Sequence, residues 1–462
     1  MRFNFWLLSR SALSCLSFFL MMTAPLSAEI KIAKFNVNAT PEIGGPVAYA
    51  SVRSVQDPLS ARGIVLTFDN QKPVVLCAID WIGIYNSGQD IWKEKLAAAA
   101  GTTSDRVAVH GLHQHDGARC DFGTEEKLQA VGLGGMFFDN DFCLETIERV
   151  TAAIKTSLSE AEAVTHIGTS KAKVEKVASN RRLLGDDGKV KMMRWSSSRD
   201  AEAIAAPEGV IDPFVHQVSF WNSETPLAVL SYYATHPQSH YGKGDVTCEF
   251  VGIARNDRDK EVPSALHVHF TGAAGNVAAG KYNDASPENR PVLAERLRTG
   301  MESAWSGVEK QPITEEECRW VAHKVLLPIS EDRNEKELAN ILNDDSASDR
   351  ARVGAAMKLS WWERSQTEWN AEISVLRLGN VQILHMPGEM FVEYSLAAEK
   401  MRPEHFVCMA AYGQGGCSYI GTEIAYWQGG YETGKNASSV SPDVEKFLMK
   451  EIETLLTESE AP

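Results

Sequence analysis

The run VAVHGLHQHD, residues 107–116, decides how the rest of the chain is read. Val107 and Val109 alternate as in a buried strand. Carried on, that strand puts His113 and His115 at alternate positions of an extended backbone, where side chains share a face. Two imidazoles aimed into one cavity are a candidate metal-binding pair, since imidazole is the commonest protein ligand for zinc-like ions. Two hydrogen-bonded surface histidines would look the same at this point, so the remainder of the chain has to separate the readings.

Before this run, residues 30–37, 62–69 and 74–80 read as strands, and residues 91–100 as a helix closed by Gly101. After it, a helix over 144–161 carries Ile147, Val150, Ile154 and Leu158 on one stripe. Strands follow at 214–221, 227–234 and 265–270, then a helix at 291–304 and a strand at 321–327. Charge-rich helices at 335–342 and 349–362 read as a peripheral excursion. Strands 371–378 and 381–386 form a hairpin across Gly379-Asn380. A last helix, capped by Ser441 with Pro442 at its first position, closes the chain. Strands interleaved with helices predict an α/β fold, mixed sheets with flanking helices. No repeat or linker divides the chain, so residues 29–462 are expected to form a single catalytic domain.

Composition narrows the partners. The chain has 462 residues, 44% hydrophobic and 23% charged, with a net charge of −15 spread along its length. That balance argues against nucleic acid, which demands clustered Lys and Arg. Arg2 and Arg10, an apolar run to Pro25, and Leu26-Ser27-Ala28 read as a secretory signal peptide over residues 1–28, hence a secreted or periplasmic protein. No later stretch is long and apolar enough to span a bilayer. Beyond Cys15, seven scattered cysteines lack any C-x-x-C spacing. They exclude a zinc ribbon and leave room for one or two disulfides.

Four apolar runs end in groups that can do chemistry: His113/His115; Ala234-Thr235-His236-Pro237; Gly275-Asn276 with Lys281-Tyr282-Asn283; and Pro387-Gly388-Glu389. Strand ends on one edge of an α/β sheet are where such enzymes place their sites. Two histidines and a carboxylate with an open position suit catalytic zinc. Asp80, also at a strand end, reads as a group behind a metal histidine or as a helix cap.

The order and wording of these segments resemble the neutral/alkaline non-lysosomal ceramidase catalytic domain. That family's T-H-T-H-S corresponds to Leu112-His113-Gln114-His115-Asp116, and its A-x-H-P-T-S to Ala234-Thr235-His236-Pro237-Gln238-Ser239. Its P-G-E corresponds to Pro387-Gly388-Glu389. Its tyrosine followed by Tyr-Glu corresponds to Tyr426 and Tyr431-Glu432, and its early Asn-Arg to Asn180-Arg181. The resemblance runs from about residue 30 to residue 432. It implies a Zn2+ ion held by His113, His236, Glu389 and the oxygen of Tyr426, with Tyr431 the second choice. It also implies His115 and Arg181 as substrate-side groups. Two departures stand out. The family's catalytic serine segment, G-D-V-S-P-N, is matched by Gly275-Asn276-Val277-Ala278-Ala279-Gly280, so alanine replaces the nucleophile. The ceramidases' additional C-terminal β domain is not expected in this length, nor is a long apolar groove for a sphingoid chain.

The expectation is a secreted zinc hydrolase of an amide or ester in an N-acylated lipid- or sugar-like substrate. Two alternatives stay open. One is a metal-assisted polysaccharide lyase with Lys281 or Tyr282 as base. The other is a non-catalytic carbohydrate-binding protein that grips sugar with Trp361, Trp362, Trp369 and Trp427.

Overall fold

Apart from Met1, the structure, a computed structural model, describes residues 29–331 and 334–460. The expected signal peptide otherwise lies outside the described residues. The fold is mixed α/β, as expected, built on three main sheets with helices packed against them.

In spatial order, the first sheet runs Val107–Gly111, Val74–Ile79, Ser60–Phe68, Ile30–Asn38, Glu162–Ala163. The second runs Leu266–Thr271, Thr225–Tyr233, Phe214–Asn222, His166–Lys173, Glu309–Pro312. The third runs Cys318–Val325, Ala371–Leu378, Val381–His385, Phe406–Ala410. Each is antiparallel except at one edge, where a single parallel pair closes it. The pairs are Val74–Ile79 with Val107–Gly111, Thr225–Tyr233 with Leu266–Thr271, and Val381–His385 with Phe406–Ala410. Parallel strands require a crossover. Helices Asn86–Ala100, Glu249–Glu261 and Val392–Met401 lie in the three crossovers. Strands Val74–Ile79 and Val381–His385 are buried at every position, as a parallel edge covered on both faces should be.

The three parallel edges meet and are stitched together at their C-terminal ends. The Gly111 N–H donates to the Tyr412 carbonyl at 3.2 Å, and the Ala411 N–H to the Thr271 carbonyl at 3.0 Å. The Thr271 hydroxyl donates to the Leu112 carbonyl at 2.8 Å. These bonds form a closed circuit from the first sheet to the third, to the second, and back. The loops that leave this circuit carry the polar segments singled out in the sequence.

Two expectations change here. Helix Asp349–Arg364 is not peripheral. Trp361 is fully buried, and Ala355, Ala356 and Leu359 pack with Leu128, Phe138 and helix Glu335–Asn343. The seven cysteines of the described residues are all buried and free, so none of them is bridged. No helix among the described residues is long and apolar enough to cross a membrane.

Candidate metal centre

His113 follows strand Val107–Gly111, but not in the way the alternation predicts. The strand stops at Gly111, and His113 takes the left-handed conformation, φ +66°. That costs a non-glycine residue about 1 kcal/mol or more. Its N–H donates to the Trp81 carbonyl at 3.0 Å, and its Nδ1 donates to the Ile82 carbonyl at 2.9 Å, which fixes both backbone and ring. His113 and His115 do converge, with Nε2 atoms 3.2 Å apart, through a tight loop rather than a shared strand face.

His236 comes from the second sheet, just past strand Thr225–Tyr233, and is fully buried. Its Nδ1 sits 2.8 Å from the Ala274 carbonyl and 3.0 Å from that of Val277. Glu389 comes from the third sheet, past Val381–His385. Gly388 makes the turn with φ +61°, where a side chain would meet Cys417 Sγ and the Ser418 carbonyl at 2.6 Å. Gly275 lets the Glu389 carbonyl approach to 2.2 Å from where a Cβ would stand. Glu389 Oε2 lies 3.2 Å from His113 Nε2 and 3.0 Å from His236 Nε2. One residue from each sheet therefore converges on one point, and these three could hold a metal ion.

The hydrogen bonding supports that fit. A carbonyl oxygen only accepts, so both Nδ1 atoms carry hydrogen. Burial, aided by the Arg181 charge, pushes the His236 imidazole below its usual range. Burial pushes the Glu389 carboxyl up, but His113 and His236 outweigh it and hold the group well below the usual carboxylate range. In its neutral form, an imidazole with hydrogen on Nδ1 would turn an Nε2 lone pair toward the carboxylate oxygen. Acceptors facing one another at about 3 Å repel unless a cation sits among them. Beside them, the Tyr412 ring stacks on His113 at 4.8 Å between centroids, and its buried hydroxyl has no hydrogen-bond partner among the described residues.

His115 lines the pocket over this cluster. Burial, then the neighbouring His113 and His236, push its imidazole well below the usual range. Its Nδ1 lies 2.9 Å from the Tyr49 hydroxyl, and burial pushes that phenol up to about 12. In the tautomer whose Nδ1 accepts from the phenol, the His115 hydrogen sits on Nε2, 3.2 Å from His113 Nε2. The pocket encloses about 450 Å³ and is lined by Tyr49, Tyr85, Tyr412, Tyr419 and Met357 among others.

Other expected site residues are placed elsewhere. The Tyr426 hydroxyl is 2.9 Å from Ser438 Oγ, and Tyr426 is not among the residues lining the pocket. The nearby tyrosine oxygen is that of Tyr419, 3.4 Å from His236 Nε2. Tyr431 packs edge-on against Tyr419 at the pocket wall. Arg181 stands behind Tyr419 rather than facing the pocket. Its guanidinium donates to the Tyr419 hydroxyl at 3.3 Å and to Glu432 at 2.9 Å. Lys281 Nζ donates to the Ile204 and Ala206 carbonyls, and the Tyr282 hydroxyl to Glu208. Neither is free to act as the base of an elimination at this pocket. Ala278 is buried and pairs with Ser179, whose hydroxyl donates to the Ala278 carbonyl at 2.9 Å. Trp361, Trp362, Trp369 and Trp427 do not line the pocket. Asp80 is neither behind a metal histidine nor a cap; it pairs with Arg255.

The mixed α/β scaffold is that of the neutral ceramidases. Two ceramidase structures are among the solved structures that match. The crystal structure of neutral ceramidase from Pseudomonas aeruginosa matches with TM-score 0.68 and 16% identity, over 94% of this chain and 75% of that one. A structure described as ceramidase complexed with C2 matches with TM-score 0.69 and 14% identity, over 94% of this chain and 76% of that one. No protein-family model and no curated protein matches the sequence.

Proposed function

We propose that the protein is a secreted zinc hydrolase that cleaves an amide or ester bond in an N-acylated lipid- or sugar-like substrate. The observation that carries this reading is the meeting of three lone-pair donors, one per sheet, with both histidine Nδ1 atoms tied to carbonyls. His113, His236 and Glu389 would hold the ion, a ligand set typical of catalytic zinc. Zinc held there would supply Lewis acidity, making water more acidic and polarising a carbonyl. His115 is poised to hold and pass a proton at Nε2, steadied by Tyr49 at Nδ1. The Tyr419 hydroxyl, fixed by Arg181, is placed to donate to an oxygen that gains charge beside His236. The apolar and aromatic walls exclude water and take the acyl part.

Metal analysis of the purified full-length protein, followed by a panel of ceramides, N-acyl amines and uronate-containing glycans, tests the reading. We expect about one equivalent of zinc and chelator-sensitive release of an amine or alcohol. Less than half an equivalent, with chelation leaving the protein unchanged, would sink it. An ultraviolet-absorbing unsaturated uronate would instead establish elimination.

Substitution separates the two tyrosines. Tyr419→Phe is expected to weaken zinc retention or turnover about tenfold, as loss of a supporting partner does. Tyr426→Phe should leave both unchanged in a competition titration with a chelator. The reverse order would restore Tyr426 as the ligand.

A further inference from the structure

The pocket's charge runs against that of the chain. The protein carries −15 overall, yet Glu389 is the only carboxylate among the residues lining the pocket, and it is committed to His113 and His236. The other formal charges in the lining are Arg119 and Arg350. Several buried arginines elsewhere find acids: Arg181 and Arg182 share Glu432, Arg255 takes Asp80, and Arg364 takes Asp90, while Arg194 is satisfied by backbone carbonyls. Among the described residues Arg119 and Arg350 have no such partner, and Arg119 Nε is buried with no hydrogen bond. Both guanidinium groups lie against the ring of Tyr49, 5.7 and 5.5 Å from its centroid. Contact with a ring holds a guanidinium in place while leaving its N–H donors open to a ligand.

Their position relates them to the cluster. Tyr49 joins His115, and His115 joins His113. Arg350 also shares a helix face with Val353, Gly354 and Met357, all of which line the pocket. Glycine inside a helix is less favourable than alanine. A Cβ on Gly354 would meet nothing within 4 Å, so open space lies beside that wall.

We propose that Arg119 and Arg350 grip an acidic group of the substrate, a carboxylate, sulfonate or phosphate, and so select an anionic amide over a neutral one. This rests on the hydrolase reading above and specifies its substrate class. Calorimetry on the full chain, with and without chelator, compares N-hexanoylglycine, N-hexanoyltaurine and N-hexanoyl-O-phosphoethanolamine with neutral N-hexanoylglycinamide. At least one acidic probe is expected to bind about tenfold tighter or better, and which one identifies the acid. Arg119→Gln with Arg350→Gln should bring that ratio close to one. Arg350→Gln alone, at an exposed position where folding is not at stake, should lower it part of the way. Equal binding of all four probes overturns the proposal. So does a preference that survives the double substitution, because the acid is then read by the metal centre. Binding needs no turnover, so a failure of the hydrolase reading would show as absent zinc or absent cleavage and leave this result interpretable.

Discussion

Replacing His236 with alanine is expected to strip the protein of its metal and lower kcat/KM by about a thousandfold or more. A thousandfold corresponds to about 4 kcal/mol of transition-state stabilisation, which is of the order that an ion's Lewis acidity supplies. His236 is fully buried and contributes the second sheet's share of the cluster. Because alanine also leaves a cavity, Glu389→Gln is the companion variant. It keeps the shape and removes the charge that His113 and His236 hold in place. Metal content, circular dichroism and turnover should separate the two effects: Glu389→Gln folds, loses zinc and loses activity. A Glu389→Gln protein that retains both zinc and activity within tenfold of the parent would refute the assignment of this cluster.

Asp80→Ala is expected to cost about 3–5 kcal/mol of stability, the usual result of leaving one partner of a buried ion pair uncompensated. Asp80 and Arg255 are both fully buried. Their two hydrogen bonds, 2.6 and 3.0 Å, join the first sheet to helix Glu249–Glu261 of the second crossover. The Ser60 N–H and hydroxyl each donate to the same carboxylate at 2.8 Å. Urea denaturation should report the loss. The double substitution Asp80→Leu with Arg255→Met should recover most of it, because apolar replacement of both partners is often near neutral. Burial pushes the Asp80 carboxyl up, but Arg255 and Ser60 outweigh that and hold it below the usual value. Its contribution is therefore present above the carboxylate range and lost as pH falls through it. A cost under about 1 kcal/mol for Asp80→Ala would contradict this account.

The three cluster residues were legible because each is a polar group that ends an apolar run, a pattern visible without knowing how the sheets meet. The geometry behind the pattern was not. Strand alternation put His113 and His115 on one face, whereas the backbone turns left-handed at His113. That turn is set by Trp81 and Ile82, which lie far away in sequence. Tyr419 and Tyr412 escaped notice because a loop tyrosine has no period to betray it. Tyr412 is placed by its carbonyl's bond from Gly111 of the first sheet, and Tyr419 by pairing with Glu389. Helix Glu249–Glu261 was hidden by its buried Glu249, Arg255 and Arg258, which interrupt any apolar stripe. Strand Phe406–Ala410 is short and nearly all buried, so alternation could not reveal it. In helix Asp349–Arg364 the charges drew attention away from the Val353, Gly354 and Met357 face.

The hydrogen-bonded circuit that joins the three parallel edges also sets when the centre can exist. No single strand–helix–strand unit contains two members of the cluster, so an early folding intermediate with one sheet formed offers a cation only one strong donor. High-affinity uptake of an ion by these three residues would have to wait until the last sheet docks. For an exported chain, loading would then draw on the ions of the compartment where folding finishes, not on those where synthesis begins.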